Sequence, residues 1–334
     1  MSVCPYCGKQ LSYGTLRCDA CKMPIDAKAA GTRLTDNELS EKLSALHKKQ
    51  MLFIVLGLIP LCLSFLCLAF SVAKDDVVLF FYRPMFFPFI IAAIFLFIMA
   101  AFQWVQIKEL IGSNALQSVL DEIFELPEYN GLKHIDEKTM AATQLVPGWN
   151  TCRGNDYVSG IYRGVGLAFS NIQLTHVRGG DNQSTQKVPL FQGQWISCGL
   201  GREPGIHMII RERPYKTMAR WREKTRYELI TGNAAFDERF QVITTDPDLA
   251  RRFLTPRTLE RIVSAAAMAN ARIFLYIGGK WLHVAVDSRK ELFEVGKGAE
   301  LADVRQLRAR LKSEVRHITG IVDELLKIEY LSGR

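Results

Sequence analysis

The chain has 334 residues, of which 49% are hydrophobic, and its formal net charge is +8 at pH 7. This length allows more than one folded unit, and the basic balance permits contact with nucleic acid or anionic lipid without choosing between them. Residues 1–30 are polar and contain four cysteines, so we expect no secretory signal peptide at this end.

The four cysteines form the pairs Cys4/Cys7 and Cys18/Cys21, with ten residues between the pairs. Each CxxC pair supplies two thiolates from one turn, and two facing turns complete a tetrahedral Cys₄ cage. We therefore predict a zinc ribbon over residues 1–30 with a structural Zn²⁺ ion, because such a cage has no open position for catalysis. Iron in the same cage is the chemical rival, and a redox CxxC is the alternative. Paired thiols beside a metal also indicate a reducing compartment.

Residues 31–50 predict a short juxtamembrane helix. Thr35 with Glu38 three residues later is typical of a helix start, and Leu39, Leu43 and Leu46 recur at helical spacing. We expect structural packing from this apolar stripe.

Two uncharged apolar segments follow at residues 51–72 and 85–107. At about 1.5 Å per helical residue, each is long enough to cross a hydrocarbon core of about 30 Å. We predict two transmembrane helices over residues 51–107, joined into a hairpin by the short connector 74–84. A pair of buried core helices is the alternative.

The charges that flank the hairpin predict its direction. The charges of the connector cancel, whereas Lys42, Lys48 and Lys49 precede the first span and Lys108 follows the second. The positive-inside rule therefore places both termini in the cytoplasm. Neither span contains an acidic or basic residue, which argues for an anchor and against an ion pathway.

Residues 108–150 are predicted as a helical connector, in which a helical apolar pattern runs from 107 to 126 and Pro127 ends it. Residues 151–296 are predicted as an α+β cytoplasmic domain with a mainly antiparallel sheet. Its expected strands are two within 157–177 and then 188–197, 206–211, 227–231, 240–243, 271–277 and 281–286. Its expected helices are 247–252 and 255–270, the second capped by Thr255 with Pro256 at its first position.

Several short segments of this region resemble a bacterial family of unknown function, catalogued as domain of unknown function 3137. The central likeness is FDERFQV at 236–242 with DPDLARRFLTP at 246–256, and it is supported by GIYRG at 160–164, LFQG at 190–193 and LFE at 292–294. The resemblance covers roughly residues 110–296 and implies a preceding two-span anchor and a bacterial inner-membrane location. It implies no activity.

Residues 297–334 are predicted as a C-terminal helix, with an apolar seam at Leu311, Val315, Ile318, Val322 and Leu325. The seam alternates three and four residues apart, as in a heptad pattern. Docking on the domain and a coiled-coil contact between chains are the two readings, so a homo-oligomer is left open.

The basic segment 211–226 is the most suggestive surface feature in the sequence. Contact with the membrane surface or a partner is assigned to Arg211, Arg213, Lys216, Arg220, Trp221 and Arg222. Basic residues near an anionic leaflet and aromatic rings at the interface both favour lipid contact. A solvated loop is the plain alternative, and nucleic-acid binding through stacking on Trp221 is the third.

The sequence offers little catalytic chemistry. It contains no P-loop, HExxH or GxSxG pattern, and no two of the histidines at 134, 176, 207, 283 and 317 are spaced as a ligand pair. Cys152 and Cys198 keep a Cys/His enzyme as an alternative, which a pocket joining either thiol to a histidine would favour.

These observations predict a multi-domain membrane protein with a zinc ribbon, a transmembrane hairpin, an α+β domain and a C-terminal helix. Its expected role is to bind or scaffold a protein partner at the cytoplasmic face, with anionic lipid as a second candidate partner. The competing classes are an enzyme and a membrane-tethered nucleic-acid binder, and the tether disfavours the latter.

Overall fold

The computed structural model describes residues 2–3, 10–11, 34–73, 76–180, 183–213, 227–294 and 303–332. The chain forms two compact units. The helical unit consists of Thr32–Leu116 with Val295–Ala309, and the α+β unit consists of Met1–Gly31, Gln117–Glu294 and Arg310–Arg334.

The helical unit contains α1 (Asp36–Ala73), α2 (Asp76–Leu110) and a π-helical turn (Ile111–Leu116). The predicted juxtamembrane helix and the first span are one continuous helix. The start of α1 is the predicted capping box: the Thr35 amide donates to Glu38 Oε2 at 2.8 Å, and the Glu38 amide donates to Thr35 Oγ1 at 3.4 Å. The connector is shorter than predicted, because α2 already begins at Asp76.

Small side chains line the contact between α1 and α2. Gly57, Ser64, Ala93 and Ala100 are buried, and a Cβ on Gly57 would lie 3.3 Å from the Phe97 ring. The two positions on each helix are seven residues apart, so they lie on one face and allow the helices to approach closely. Such small-residue faces are typical of helix pairs in membranes.

Two stretches of this region are long and apolar enough to cross a membrane, Asp36–Ala69 and Phe86–Ile123. Buried residues make up 17% of the apolar window in each. A core helix of a water-soluble domain would be mostly buried, which is the reverse of this pattern.

The α+β unit is built on a nine-stranded antiparallel sheet, together with a two-stranded pair formed by β1 (Ser2–Val3) and β2 (Gln10–Leu11). The strands of the large sheet are β3 (Glu125–Asn130), β4 (Thr151–Tyr162), β5 (Val165–Gly180), β6 (Gln183–Gly199), β7 (Met208–Glu212), β8 (Tyr227–Leu229), β9 (Phe240–Thr244), β10 (Arg272–Gly278) and β11 (Trp281–Asp287). Their order across the sheet is β3-β4-β5-β6-β11-β10-β7-β9-β8. This agrees with the predicted antiparallel α+β class.

The other helices are α3 (Gln117–Ile123), α4 (Glu137–Thr143), α5 (Ala234–Arg239), α6 (Pro247–Phe253), α7 (Pro256–Ala269), α8 (Val304–Leu326) and α9 (Glu329–Ser332). All belong to the α+β unit except the first residues of α8, through Ala309. The predicted Thr255 cap of α7 is confirmed, since Thr255 Oγ1 accepts from the Thr258 amide at 3.3 Å. The β10–β11 hairpin is also confirmed, with Gly279 at φ +57° in its turn.

Within the helical connector predicted over 108–150, the structure has a strand that begins where the helical pattern was expected to continue to 126. The helix ends at Ile123, and β3 pairs with β4 at the edge of the sheet. Leu126 has φ +52° and precedes Pro127, and a residue before proline is disfavoured in the α region. An edge strand tolerates the missing amide of Pro127.

The seam of the C-terminal helix faces the interior. Leu311, Val315, Ile318 and Val322 are fully buried, and Asp323 on α8 accepts a 2.9 Å hydrogen bond from the Tyr162 hydroxyl. The structure therefore favours docking of this helix on the domain over a coiled coil between chains.

Candidate functional site

The four ligands predicted for the zinc ribbon, Cys4, Cys7, Cys18 and Cys21, lie outside the described residues. The described strands β1 and β2 come before and after the first CxxC pair in the chain and pair antiparallel, with Ser2 opposite Leu11.

The basic segment is described at its start, through Arg211 and Arg213, whereas Lys216, Arg220, Trp221 and Arg222 lie outside the described residues. The surface role predicted for Arg211 is corrected, because this side chain is 2% exposed. Its guanidinium donates to the Leu145 carbonyl at 3.0 Å and to the Gln144 carbonyl at 2.6 Å. All five residues of β7 are buried, so the strand draws Arg211 into the interior, where backbone carbonyls replace water.

Arg213 differs from Arg211, although it lies two residues later. It is exposed and forms an ion pair with Glu228 at 2.8 Å. Exposed pairs of this kind contribute about 0–1 kcal/mol, so Arg213 remains a surface residue, and a binding partner could replace Glu228 at little cost.

Cys198 is buried in β6, and burial raises the pKa of its thiol to about 12. A cysteine nucleophile needs the opposite shift, because the reactive form is the thiolate. Cys198 is therefore a core residue.

Ser197 and His283 form a buried pair on β6 and β11. Ser197 Oγ lies 2.8 Å from His283 Nδ1, and burial lowers the pKa of His283 to about 4. The distance is that of a nucleophile–base pair, but both side chains are buried, so a substrate would have to open the sheet to reach them. We assign the pair to the core.

His134, Glu137 and Cys152 bring their ligand atoms to within 4.8 Å of one another. His134 precedes α4, Glu137 is the first residue of α4, and Cys152 is the second residue of β4. The His134 and Cys152 side chains are partly buried and that of Glu137 is exposed. This is the group of potential ligands that the structure brings together within the described part of the chain, and sequence reasoning missed it.

The loop that carries His134 is fixed on both sides of the imidazole. The Lys133 carbonyl accepts from the Tyr157 amide at 3.1 Å, and the Ile135 amide donates to buried Ser170 Oγ at 3.1 Å. Asp136 then caps α4 by accepting from the Thr139 amide at 3.1 Å. The position of Glu137 therefore follows from that of His134.

His134 lies against a glycine of the neighbouring strand. A Cβ on Gly154 would be 2.6 Å from His134 Cβ and 2.6 Å from the Asn171 carbonyl oxygen. Cys152 is two residues before Gly154, and residues two apart in a strand share one face. Gly154 thus gives His134 the space to approach the face that carries the thiol.

The Cys152 thiol is protonated at neutral pH, because burial and the Glu137 carboxylate raise its pKa to about 12. Without a metal ion the cluster therefore lacks the thiolate that a Cys/His nucleophile would need, and a bound metal ion would have to displace this proton before the sulfur could coordinate it. Its donor set, one sulfur, one nitrogen and one oxygen, is instead the set that binds borderline transition-metal ions.

The helical unit has a groove of about 490 Å³ between α1 and the end of α2. Lys42 and Lys49 line one wall, and Gln106, Glu109 and Ser113 line the other. Two lysines beside an apolar hairpin offer charge to an anionic headgroup.

The fold thus defines a class: a long apolar helical hairpin followed by an α+β domain on an antiparallel sheet. Residues 189–327 match the model of the family described as "Protein of unknown function (DUF3137)". This supports the resemblance inferred from the sequence and extends it to the end of α8, whereas residues 110–188 lie outside the match. No curated protein matches.

A solved structure, the crystal structure of the mycobacterial trehalose monomycolate transport factor A, TtfA, is similar at 16% sequence identity, over 62% of this chain and 95% of that chain. The TM-score is 0.33, and at that value the similarity carries no argument about this chain.

Proposed function

We propose that the chain is a membrane-anchored binding or scaffold protein of the bacterial inner membrane. In this account the hairpin spans the bilayer, and the zinc ribbon and the α+β domain present binding surfaces to a protein partner at the cytoplasmic face.

The exposed apolar surface of the hairpin is the observation that carries the proposal. Leu58, Phe65, Phe95 and Ile98 are between 47% and 61% exposed, and they lie within the two stretches that are long enough to cross a membrane. Apolar surface of this extent is unfavourable in water, at about 25 cal/mol per Å². A bilayer removes that cost.

The direction of insertion follows from charge. Lys42, Lys49 and Lys108 lie at the end of the hairpin that leads to the two termini, and basic residues are retained in the cytoplasm. With that orientation, the groove between α1 and α2 lies near the inner leaflet, which makes anionic lipid a second partner.

Binding is preferred to catalysis because the candidate nucleophiles of the domain have the wrong properties. The thiols of Cys152 and Cys198 have raised pKa values, and the Ser197–His283 pair is buried. Nucleic acid remains the least favoured partner, since the described part of the basic segment begins with a buried arginine.

We include the zinc ribbon in the proposal because of the spacing of its cysteines. Two CxxC pairs separated by ten residues fit a closed, structural Zn²⁺ cage. A ribbon folds when its metal binds, so replacement of two ligands should remove its binding surface and leave the hairpin and the α+β domain in place.

A crosslinked pull-down from native membranes tests this role. The full chain is compared with Cys4→Ser/Cys7→Ser and with the control Cys62→Ser/Cys67→Ser, which changes two cysteines of α1, at matched abundance. We expect a defined protein partner with the full chain and the control, and its loss in the ribbon variant. A partner set that does not depend on the ribbon would contradict recruitment by the ribbon.

A further inference from the structure

We propose that His134, Glu137 and Cys152 form a second metal site, which binds a divalent transition-metal ion of the Zn²⁺ type. It lies in the α+β unit and is distinct from the four N-terminal cysteines. The ligand atoms already lie within 4.8 Å of one another. In a tetrahedral Zn²⁺ site, bond lengths of about 2.0–2.3 Å place neighbouring ligand atoms about 3.3–3.8 Å apart. Closure by about 1 Å is therefore needed, and the exposed Glu137 side chain has the rotational freedom to supply it.

The hydrogen bond of His134 fixes a tautomer that a metal ligand can use. His134 Nδ1 lies 2.7 Å from the Ile135 carbonyl oxygen. A carbonyl can only accept, so Nδ1 carries the proton and the free lone pair is on Nε2. Metal-ligating histidines commonly donate their second ring nitrogen to a backbone carbonyl in this way, which fixes both tautomer and ring.

Hydrogen bonds already fix the backbone at two of the three ligands, His134 and Cys152. The hydrogen bonds with Tyr157 and Ser170 fix the backbone before and after His134, and Cys152 belongs to β4 and pairs with Leu174 of β5. Little conformational entropy is therefore lost when the site closes. Gly154 maintains the close approach of His134 to β4, because a Cβ there would collide with the imidazole.

The donor set selects the kind of ion. Thiolate and imidazole favour Zn²⁺ and related ions over Mg²⁺ and Ca²⁺, which prefer oxygen ligands. Three protein ligands leave a fourth position for water, a small ligand or a side chain of a partner. The ion would also tie the start of α4 to β4, two elements that are otherwise joined by an irregular loop.

Equilibrium dialysis of the full chain in detergent against Zn²⁺ alone tests the site, with bound metal measured by elemental analysis. The compared variants are Cys152→Ser, His134→Gln and Glu137→Gln. His176→Gln is the matched control, because His176 Nδ1 also bonds a backbone carbonyl, that of Gly148 at 2.6 Å, and His176 lies outside the cluster. Each chain is also made with Cys4→Ser/Cys7→Ser, so that the first site does not mask the second.

In the Cys4→Ser/Cys7→Ser background we expect one Zn²⁺ equivalent that persists with His176→Gln and is lost with Cys152→Ser. Glu137→Gln changes an exposed side chain, so it preserves the fold and should weaken Zn²⁺ binding by roughly tenfold or more. Replacement of Zn²⁺ by Co²⁺ should give a thiolate-to-metal absorption band that disappears with Cys152→Ser. Equal Zn²⁺ affinity in Glu137→Gln, His134→Gln and the His176→Gln control would overturn the proposal.

Discussion

The two units use the same apolar residues in opposite ways. In the α+β unit, Phe169, Phe191 and Trp195 are fully buried. In the helical unit, Phe95 and Ile91 are 61% and 63% exposed, and the buried positions are small residues such as Ala93 and Ala100. The large apolar side chains of the domain are therefore removed from water. In the hairpin the helices meet through small residues and the large apolar side chains are exposed, which is the arrangement typical of helix pairs in membranes.

The largest expected effect is the loss of stability when a buried ring is removed from the α+β unit, and its absence would contradict the contrast between the two units. Phe169→Ala should lower the free energy of unfolding of the α+β unit by about 3–5 kcal/mol, because it removes a fully buried ring. Phe95→Ala, its matched control in α2, should change that value by less than about 1 kcal/mol, as expected for an exposed position. Urea unfolding of the full chain in detergent, followed by near-UV circular dichroism, measures both. Equal losses would contradict the contrast.

The second effect concerns acid stability of the domain. Burial lowers the pKa of His283 from 6.5 to about 4, so the unfolded chain takes up this proton before the folded one does. Neutral His283 therefore leaves the free energy of unfolding undiminished above pH 6.5. As the pH falls from 6.5 to 4, protonation of His283 in the unfolded chain lowers the free energy of unfolding by about 3 kcal/mol in total.

His283→Gln should remove that slope. Its free energy of unfolding, measured by urea titration at several pH values, should vary less than that of the wild type between pH 6.5 and 4. An unchanged slope would assign the acid sensitivity to other groups.

The third effect sharpens the description of the hairpin. Ala93→Leu inserts a larger side chain into the contact between α1 and α2 and should destabilise their association by about 1–3 kcal/mol. Ala92→Leu lies on the exposed face and should have little effect. SDS titration in mixed micelles, with fluorescence transfer between labels on the two helices, measures the difference. The reverse order of effects would require a different helix interface.

The smallest effect tests how the C-terminal helix docks. Tyr162→Phe removes the 2.9 Å hydrogen bond to Asp323 and should weaken the packing of α8 on the domain by about 0.5–1.5 kcal/mol. Hydrogen exchange of α8 amides should rise accordingly, whereas the control Tyr330→Phe, at an exposed position of α9, should leave it unchanged. Unchanged protection with Tyr162→Phe would show that the apolar seam alone holds the helix.

Local signals in the sequence predicted much of the secondary structure. The Thr35 and Thr255 caps, the Gly279 hairpin turn and the apolar period of α8 act over a few residues, and all four are present in the structure. The strand β3 was missed because a helical apolar pattern runs through Leu126, where backbone geometry before a proline overrides it.

Features that depend on distant parts of the chain could not be predicted in this way. Arg211 looks like a surface charge in the sequence, yet its partners, the carbonyls of Gln144 and Leu145, lie more than sixty residues earlier. The candidate metal cluster is similar, since the spacing of His134 and Glu137 is visible in the sequence but the arrival of Cys152 depends on the return of β4. The order of strands in the sheet also could not be predicted, because β6 pairs with β11, which comes much later in the chain.

Alkaline carbonate extraction of membranes from cells that express the full chain tests the central claim, that the hairpin spans a bilayer. A matched variant carries Leu58→Arg and Phe95→Arg, each of which costs about 2.5–3.5 kcal/mol at the centre of a span. The account predicts that the wild-type chain stays in the membrane pellet and that the variant is depleted from it. Release of the wild-type chain into the soluble fraction would contradict it.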